Sequence, residues 1–300
     1  MKDKTKNTIQ PDGLTLVLGG TGKTGRRVVD RLKSLGVPTR VASRSASPSF
    51  DWADDGNWDS VLDGVTAAYI SYAPDLAIPG ATDAVRAFVE RAVECGVERL
   101  VLLSGRGEEE AQLCERIVQG AGVEWTIVRA SWFNQNFSEG EFLDMVLAGE
   151  ITLPAGAVGE PFVDVDDIAD VAVAALTEDS SRQAGSRHTG QVYEVTGPRL
   201  LTFSDVAEEI SRASGREIQY IQIPQDAFAA GIAESGAPDD IAWLLDYLFS
   251  TVLDGRNAYV CDGVQRALGR EPTDFADYAR RIADSGVWNI SPSRQTAAAQ

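Results

Sequence analysis

Histidine is nearly missing from this chain: His188 is the single one among 300 residues. That excludes histidine-rich metal sites and argues against a Ser-His-Asp triad. The three cysteines, Cys95, Cys114 and Cys261, are too few and too scattered for a disulfide framework or a zinc cluster. They fit a reducing compartment, and a cytoplasmic protein is expected. No stretch approaches the roughly 18 consecutive apolar residues of a membrane span. The opening MKDKTKNTIQPD is lysine-rich with no apolar segment behind it, so it does not read as a secretion signal. Residues 1–13 read as a floppy arm and 289–300 as a floppy tail. Basic charge is also scarce. Twenty-seven Lys and Arg against 45 Asp and Glu leave a formal charge of −18, a surface that repels phosphate backbones and anionic lipids. Neither nucleic acid nor membrane is an expected partner, and the oligomeric state, monomer or homodimer, stays open.

What the chain does have is a rhythm. Short β-branched runs alternate with amphipathic stretches of helical length. Leu14–Leu18 reads as a strand, and 23–35 as a helix with Val28, Val29 and Leu32 on one face. Strands follow at 39–43, 67–72, 99–103 and 125–128, with helices at 81–95 and 108–119 between them, and a further strand is expected shortly before Asp51. Runs such as LTLVL and RLVLL are apolar throughout, as strands buried on both faces should be. Repeated β-then-α order with short connections predicts an α/β fold, a doubly wound parallel sheet of the Rossmann kind. After about residue 130 the rhythm loosens. A helix capped by Asp166 and Asp167 and running to Leu176, a strand at 191–195, a helix at 203–213 led by Thr202, and a strand at 218–223 suggest a smaller α+β substrate lobe. The expected division is a dinucleotide-binding core over 14–130 and a lobe over 131–288, with 161–196 rejoining the core sheet.

Directly after the first strand stands Gly19-Gly20-Thr21-Gly22-Lys23-Thr24-Gly25. Gly19, Gly22 and Gly25 are spaced three apart where a strand ends and a helix begins. A dinucleotide site needs glycine there for a tight turn, for close approach of backbone to pyrophosphate, and for close helix–strand contact. The helix start then offers free N–H groups and a positive dipole end to phosphates. Thr21, Lys23 and Thr24 share that turn. A P-loop is excluded by spacing, since it requires glycine at position 17, where Val17 sits inside the strand. The second strand ends in Ser43-Arg44-Ser45 rather than in the acidic residue that grips a ribose 2′-hydroxyl. That pattern suits a 2′-phosphate, so NADP(H) is expected over NAD(H). Asp51 and Trp52 are candidates for contact with the adenine, and Ala73 and Pro74 complete the expected cofactor set.

The chain resembles the NmrA-like atypical short-chain dehydrogenases, and within them the group of fungal festuclavine and agroclavine dehydrogenases. The resemblance is carried by LVLGGTGKTGRRVVDRL, GVEWTIVRASWFNQNFSE, PFVDVDDIADVAVAALTE, YEVTGPRLLTFSDVAEEIS and LGREPTDFADYARR, which together span residues 14 to 285. It implies an NAD(P)H-dependent oxidoreductase. Ordinary short-chain dehydrogenases use Tyr-x-x-x-Lys, in which the lysine acidifies a phenol that protonates the alkoxide. None of the seven tyrosines here has a lysine four residues on, and the helix after strand 99–103 holds neither residue type.

Without that pair, either the acceptor is already activated, as an iminium or quinone is, or another group supplies the proton. Tyr72 and Ser104, at the ends of their strands, are the candidates. Trp132, Phe133, Asn136 and Phe137 follow the strand 125–128 and could stack on and orient a flat ring; sealing the two lobes together is their plainer role. His188 falls in a polar loop and is expected on the surface. The leading reading is a reductase of a planar electrophile: a quinone, an imine or iminium, or a carbonyl compound. Two alternatives stand beside it: an NADP(H)-sensing regulator without turnover, and a cofactor-assisted monooxygenase acting on an aromatic polyketide.

Overall fold

The computed structural model describes residues 13–140, 142–178 and 187–289; apart from Gly13 and Asn289, the expected arm and tail lie outside the described residues. Strand β1 (Leu14–Leu18) leads into helix α1 (Lys23–Ser34), and the chain returns through β2 (Thr39–Ala42). Next come α2 (Trp58–Leu62), β3 (Val65–Ile70), α3 (Ala81–Glu94), β4 (Arg99–Gly105), α4 (Glu109–Gln119) and β5 (Glu124–Ala130). Short helices α5 (Asn136–Glu139) and α6 (Leu143–Ala148) precede β6 (Glu150–Leu153), α7 (Val165–Thr177) and β7 (Gln191–Val195). The chain then forms α8 (Phe203–Ser214), β8 (Gln219–Gln222), α9 (Gln225–Glu234), α10 (Asp239–Tyr247), α11 (Gly263–Leu268) and α12 (Phe275–Ser285).

Six strands pair in parallel in the order β2-β1-β3-β4-β5-β7. Alternation along each strand feeds two separate cores. Val17 of β1 and Val101 of β4 join Val28 and Leu32 of α1 and Ile168 of α7 on one face. Leu16, Leu18, Leu100 and Leu102 point the other way, against Val85 and Phe88 of α3 and Cys114 and Val118 of α4. Both faces of the sheet are therefore covered, which makes it a doubly wound Rossmann-type sheet. Its order reverses between β1 and β3, and ligands of such sheets bind outside the carboxyl ends of the strands at that switch point.

A third apolar cluster lies apart from the sheet. Phe137, Phe142, Phe162, Phe203, Phe275, Tyr278 and Trp288 pack together beside the two-stranded parallel pair β6-β8. The pattern beyond residue 130 left β6, α5, α6 and α11 unread, because each is only four to six residues long. The strand expected before Asp51 does not form. Instead the amides of Ala46 and Phe50 both bond back to the Ser43 carbonyl, closing a loop. Helix α7 is capped two residues earlier than its Asp166-Asp167 pair suggests: the Asp164 carboxylate accepts from the Asp166 amide at 2.9 Å. Thr202 and Asp205 form a reciprocal capping box at α8.

His188 is not on the surface. It is 1% exposed, its Nδ1 lies 2.8 Å from the Tyr193 hydroxyl, and its carbonyl accepts from Thr126 Oγ1. Loop polarity suggested solvent, but its bonds to Thr126 of β5 and Tyr193 of β7 hold it inside. Burial pulls the imidazole below its usual value, with Arg187 and Arg99 acting in the same direction and Glu178 opposing. A group whose native pKa is lowered stabilises the fold above its unfolded value and loses that contribution as pH falls through the native one. Urea unfolding should therefore show stability declining below pH ~6.5, with a smaller decline in His188→Gln.

Candidate functional site

The site begins where α1 meets β1. Gly19 has a left-handed φ of 63°. A Cβ on Gly25 would fall 2.2 Å from the Gly19 carbonyl oxygen, so only bare backbone allows this approach of helix to strand. The contact starts α1 at the carboxyl edge of the sheet, with Thr21 and Gly22 exposed and no acidic residue in its first turn. Its first N–H groups lack helical acceptors and carry the positive end of the dipole. This cradle fits the pyrophosphate of a dinucleotide. Thr24 is buried beneath it, whereas Lys23 reaches sideways, its Nζ donating to Asn136 Oδ1 at 3.0 Å. Arg26 and Arg27 both bond Glu139, so the start of α1 is tied to α5 by three side chains.

The β2 end supplies a second half of the cradle. Arg44 is exposed and makes no hydrogen bond or ion pair among the described residues, and the Ser43 and Ser45 hydroxyls lie 3.3 Å apart beside it. Asp51 is exposed, and its carboxylate accepts from the Ala53 amide within its own turn. Trp52 is half-buried among Phe50, Phe88 and Tyr72, the last at 4.8 Å between ring centroids. Ala73 and Pro74 are exposed just beyond the end of β3.

The two candidate proton donors differ in setting. Tyr72 is half-buried against Trp52, and burial pushes its phenol above the ordinary value, Cys114 adding to it. Ser104 is buried and already committed: its hydroxyl donates to Glu115 Oε1 at 2.6 Å. Glu115 lies on α4, the helix that carries the catalytic pair in ordinary short-chain dehydrogenases. Here it also grips Arg129 through two bonds of 2.8 and 2.5 Å, and Arg129 reaches on to Glu194 at 2.9 Å. The hydroxyl expected to donate to substrate is held by a carboxylate behind it.

The aromatic segment after β5 divides. Trp132 and Phe133 are half-buried, Trp132 with Phe249 at 5.2 Å and Phe203 at 5.7 Å. Phe137, by contrast, is fully buried among Phe142, Phe162 and Phe275, and its carbonyl accepts from Trp288 Nε1. Its helix turns the ring into the third core instead of toward the sheet edge.

Several polar residues in the same region escaped the sequence reading. Asn134 is wholly buried with neither amide atom hydrogen-bonded, and Glu160 is wholly buried with Oε1 unpartnered. Arg106 is buried behind β4 and reaches Glu194 at 3.3 Å. Asp75 and Glu108 share a hydrogen bond, and burial raises both carboxyls, Glu108 the more. A single sequence gives no sign that a lone Glu or Asn will be enclosed without partners.

The chain matches no protein-family profile. It is 34% identical to agroclavine dehydrogenase of Claviceps fusiformis over 91% of its own length and 98% of that protein. The chain belongs to the NmrA-like family of atypical short-chain dehydrogenases. An NAD(P)H azoreductase of Xenophilus azovorans is 27% identical to this NmrA-like protein, over 90% of this chain and 98% of the azoreductase. Among solved structures, the NADPH complex of an Escherichia coli NADPH-dependent quinone oxidoreductase shares the fold, with a TM-score of 0.73 and 21% identity over 89% of this chain and 99% of that one. The NmrA-like protein is an NAD(P)H-dependent oxidoreductase, and it lacks Tyr-x-x-x-Lys. The contact that builds its cradle has a direct test: Gly25→Ala should destabilise the protein by at least about 1–3 kcal/mol in urea unfolding, as overpacking at a rigid site does.

Proposed function

We propose that this protein is an NADP(H)-preferring reductase that delivers hydride to a planar electrophilic small molecule in the cytoplasm. The observation that carries the cofactor preference is Arg44, an exposed guanidinium without a partner among the described residues, just past the end of β2, where the sequence has no acidic residue to hold a ribose diol. The N–H groups of Lys23 to Gly25 would hold the pyrophosphate, and Ser43 and Arg44 the 2′-phosphate. Bound NADPH supplies the hydride; the protein supplies position and electrostatics. Trp132 and Phe133 offer flat apolar surface at the sheet edge, and Asn136, steadied by Lys23, offers an amide to orient a ring. Quinones, iminium ions and azo compounds are flat and electrophilic; one relative is an azoreductase and one structural neighbour a quinone oxidoreductase.

Calorimetric titration tests the cofactor reading. NADPH should bind much more tightly than NADH, and Arg44→Ala should remove most of the gap, about 1.5–3 kcal/mol for a charge-assisted contact. Equal affinities in the native protein overturn it. For the acceptor, a panel of quinones, cyclic iminium ions and unactivated ketones should show NADPH oxidation fastest with the activated compounds. Trp132→Ala should raise KM for the acceptor while leaving NADPH affinity unchanged. A panel in which nothing consumes NADPH replaces the reductase with a nucleotide sensor.

A further inference from the structure

We infer that Ser131 and Glu160 form a proton-delivery path to the acceptor, Ser131 Oγ giving up the proton and Glu160 replacing it. The inference rests on the reductase reading and names the group that reading leaves unassigned. Ser131 directly follows β5 and precedes Trp132, so it stands at the edge where the acceptor ring is expected. The segment carrying Glu160 runs alongside: Val163 donates to the Trp132 carbonyl and Asn134 to the Val163 carbonyl, both at 2.8 Å. Glu160 itself is fixed by two reciprocal backbone bonds of 2.9 Å with Leu201. Across this junction the Ser131 hydroxyl lies 3.4 Å from Glu160 Oε2. That is long for a hydrogen bond, as catalytic contacts without substrate often are.

Glu160 has the marks of a proton store. It is 0% exposed, and its Oε1 has no hydrogen-bond partner among the described residues. An ionised carboxylate enclosed with an open lone pair is costly, so the neutral acid is favoured. The charged groups that face it are Arg106 from the turn after β4, which draws the acid down, and Asp254 from the loop after α10, which pushes it up; Glu194 of β7 lies behind Arg106. The balance leaves the group at about 7, where it can hold a proton at neutrality and still release it. Burial raises the Asp75 and Glu108 carboxyls as well, but each is closed on the other.

The chemistry balances as follows. When a carbonyl carbon gains hydride from the reduced nicotinamide, its C=O π bond breaks and the oxygen takes the Ser131 proton; a quinone takes the hydride at one oxygen while its π electrons shift into an aromatic ring, and the other oxygen takes that proton. Ser131 takes the Glu160 proton in turn, and the carboxylate left beside Arg106 is reprotonated from water. An iminium carbon gains hydride while nitrogen recovers its lone pair, and no proton is needed.

The test uses the full chain with NADPH, a planar carbonyl or quinone, and a cyclic iminium. In Glu160→Gln and Ser131→Ala, the carbonyl rate relative to the iminium rate should fall by about 10²–10⁴. For the native protein kcat on the carbonyl should decline as pH rises through about 7, because the protonated acid is consumed. That decline should vanish in Glu160→Gln. A readout without cofactor is the infrared titration: a protonated carboxyl band lost around the same pH and missing from Glu160→Gln. NADPH affinity should stay unchanged in both variants. An unaltered ratio and pH profile, or an unaltered infrared titration, overturns the path while the reductase stands. Native protein that reduces iminium ions but no carbonyl or quinone also overturns the path alone. Native protein that oxidises NADPH with none of the offered acceptors overturns both.

Discussion

Everything at the sheet edge depends on one contact between bare backbone segments. With no Cβ on Gly25, the first turn of α1 settles onto the Gly19 carbonyl, and the helix opens where β1 ends. From that position Lys23 reaches Asn136, and Arg26 and Arg27 reach Glu139. The phosphate cradle and the segment next to the acceptor are thereby built from opposite ends of the same three side-chain ties. On its far side α1 packs on α7, with Arg31 bonded to Asp166 and Asp170. A helix held at one end by a steric limit and along its length by ion pairs has little freedom to tilt. A fixed helix start suits a ligand whose phosphates must meet N–H groups within hydrogen-bond range.

The second theme is what α4 carries in place of a tyrosine and lysine. Glu115 turns the usual polarity of the site around. Where a cation would acidify a donor, the Glu115 carboxyl group accepts a hydrogen bond from Ser104 and binds Arg129. The network continues through Glu194 to Arg106, Cys261 and Tyr259, linking the carboxyl ends of β4, β5 and β7 with the loop that follows α10. Such a chain of charge-assisted bonds rigidifies the floor of the site. It also empties that floor of an available acid, which is why the acidic duties move toward the segment at 160.

The sheet was legible because its signals are redundant. Leu14–Leu18 is apolar on both faces, Val85, Phe88 and Val89 recur at helical spacing, and the glycine spacing follows a strand, so each assignment supported the next. Beyond residue 130 redundancy fails. Four-residue elements such as β6 offer no period, and Phe137 and Trp132 look alike in sequence although one ring is enclosed and the other half-exposed. The cofactor turn could be read because glycine there answers a steric demand. Ser104, Glu160 and Asn134 could not, because their roles depend on which distant side chain meets them. His188 shows the same limit: a polar neighbourhood in sequence became an interior one once Thr126 and Tyr193 closed over it.

The ion pairs along α1 bear on how acceptors arrive. Arg26, Arg27 and Arg31 spend their charge on Glu139, Asp166 and Asp170, so these three guanidinium groups add little to the positive field of α1. The remaining surface is strongly anionic, with a formal charge of −18 over the whole chain. A cation approaching from solution is drawn toward such a body, and a sulfonated or carboxylated compound is turned away. Encounter with a positively charged ring should thus be fastest in dilute buffer and slow as salt screens the attraction over a Debye length of about 8–10 Å. The protein sorts its callers by charge before any side chain touches them.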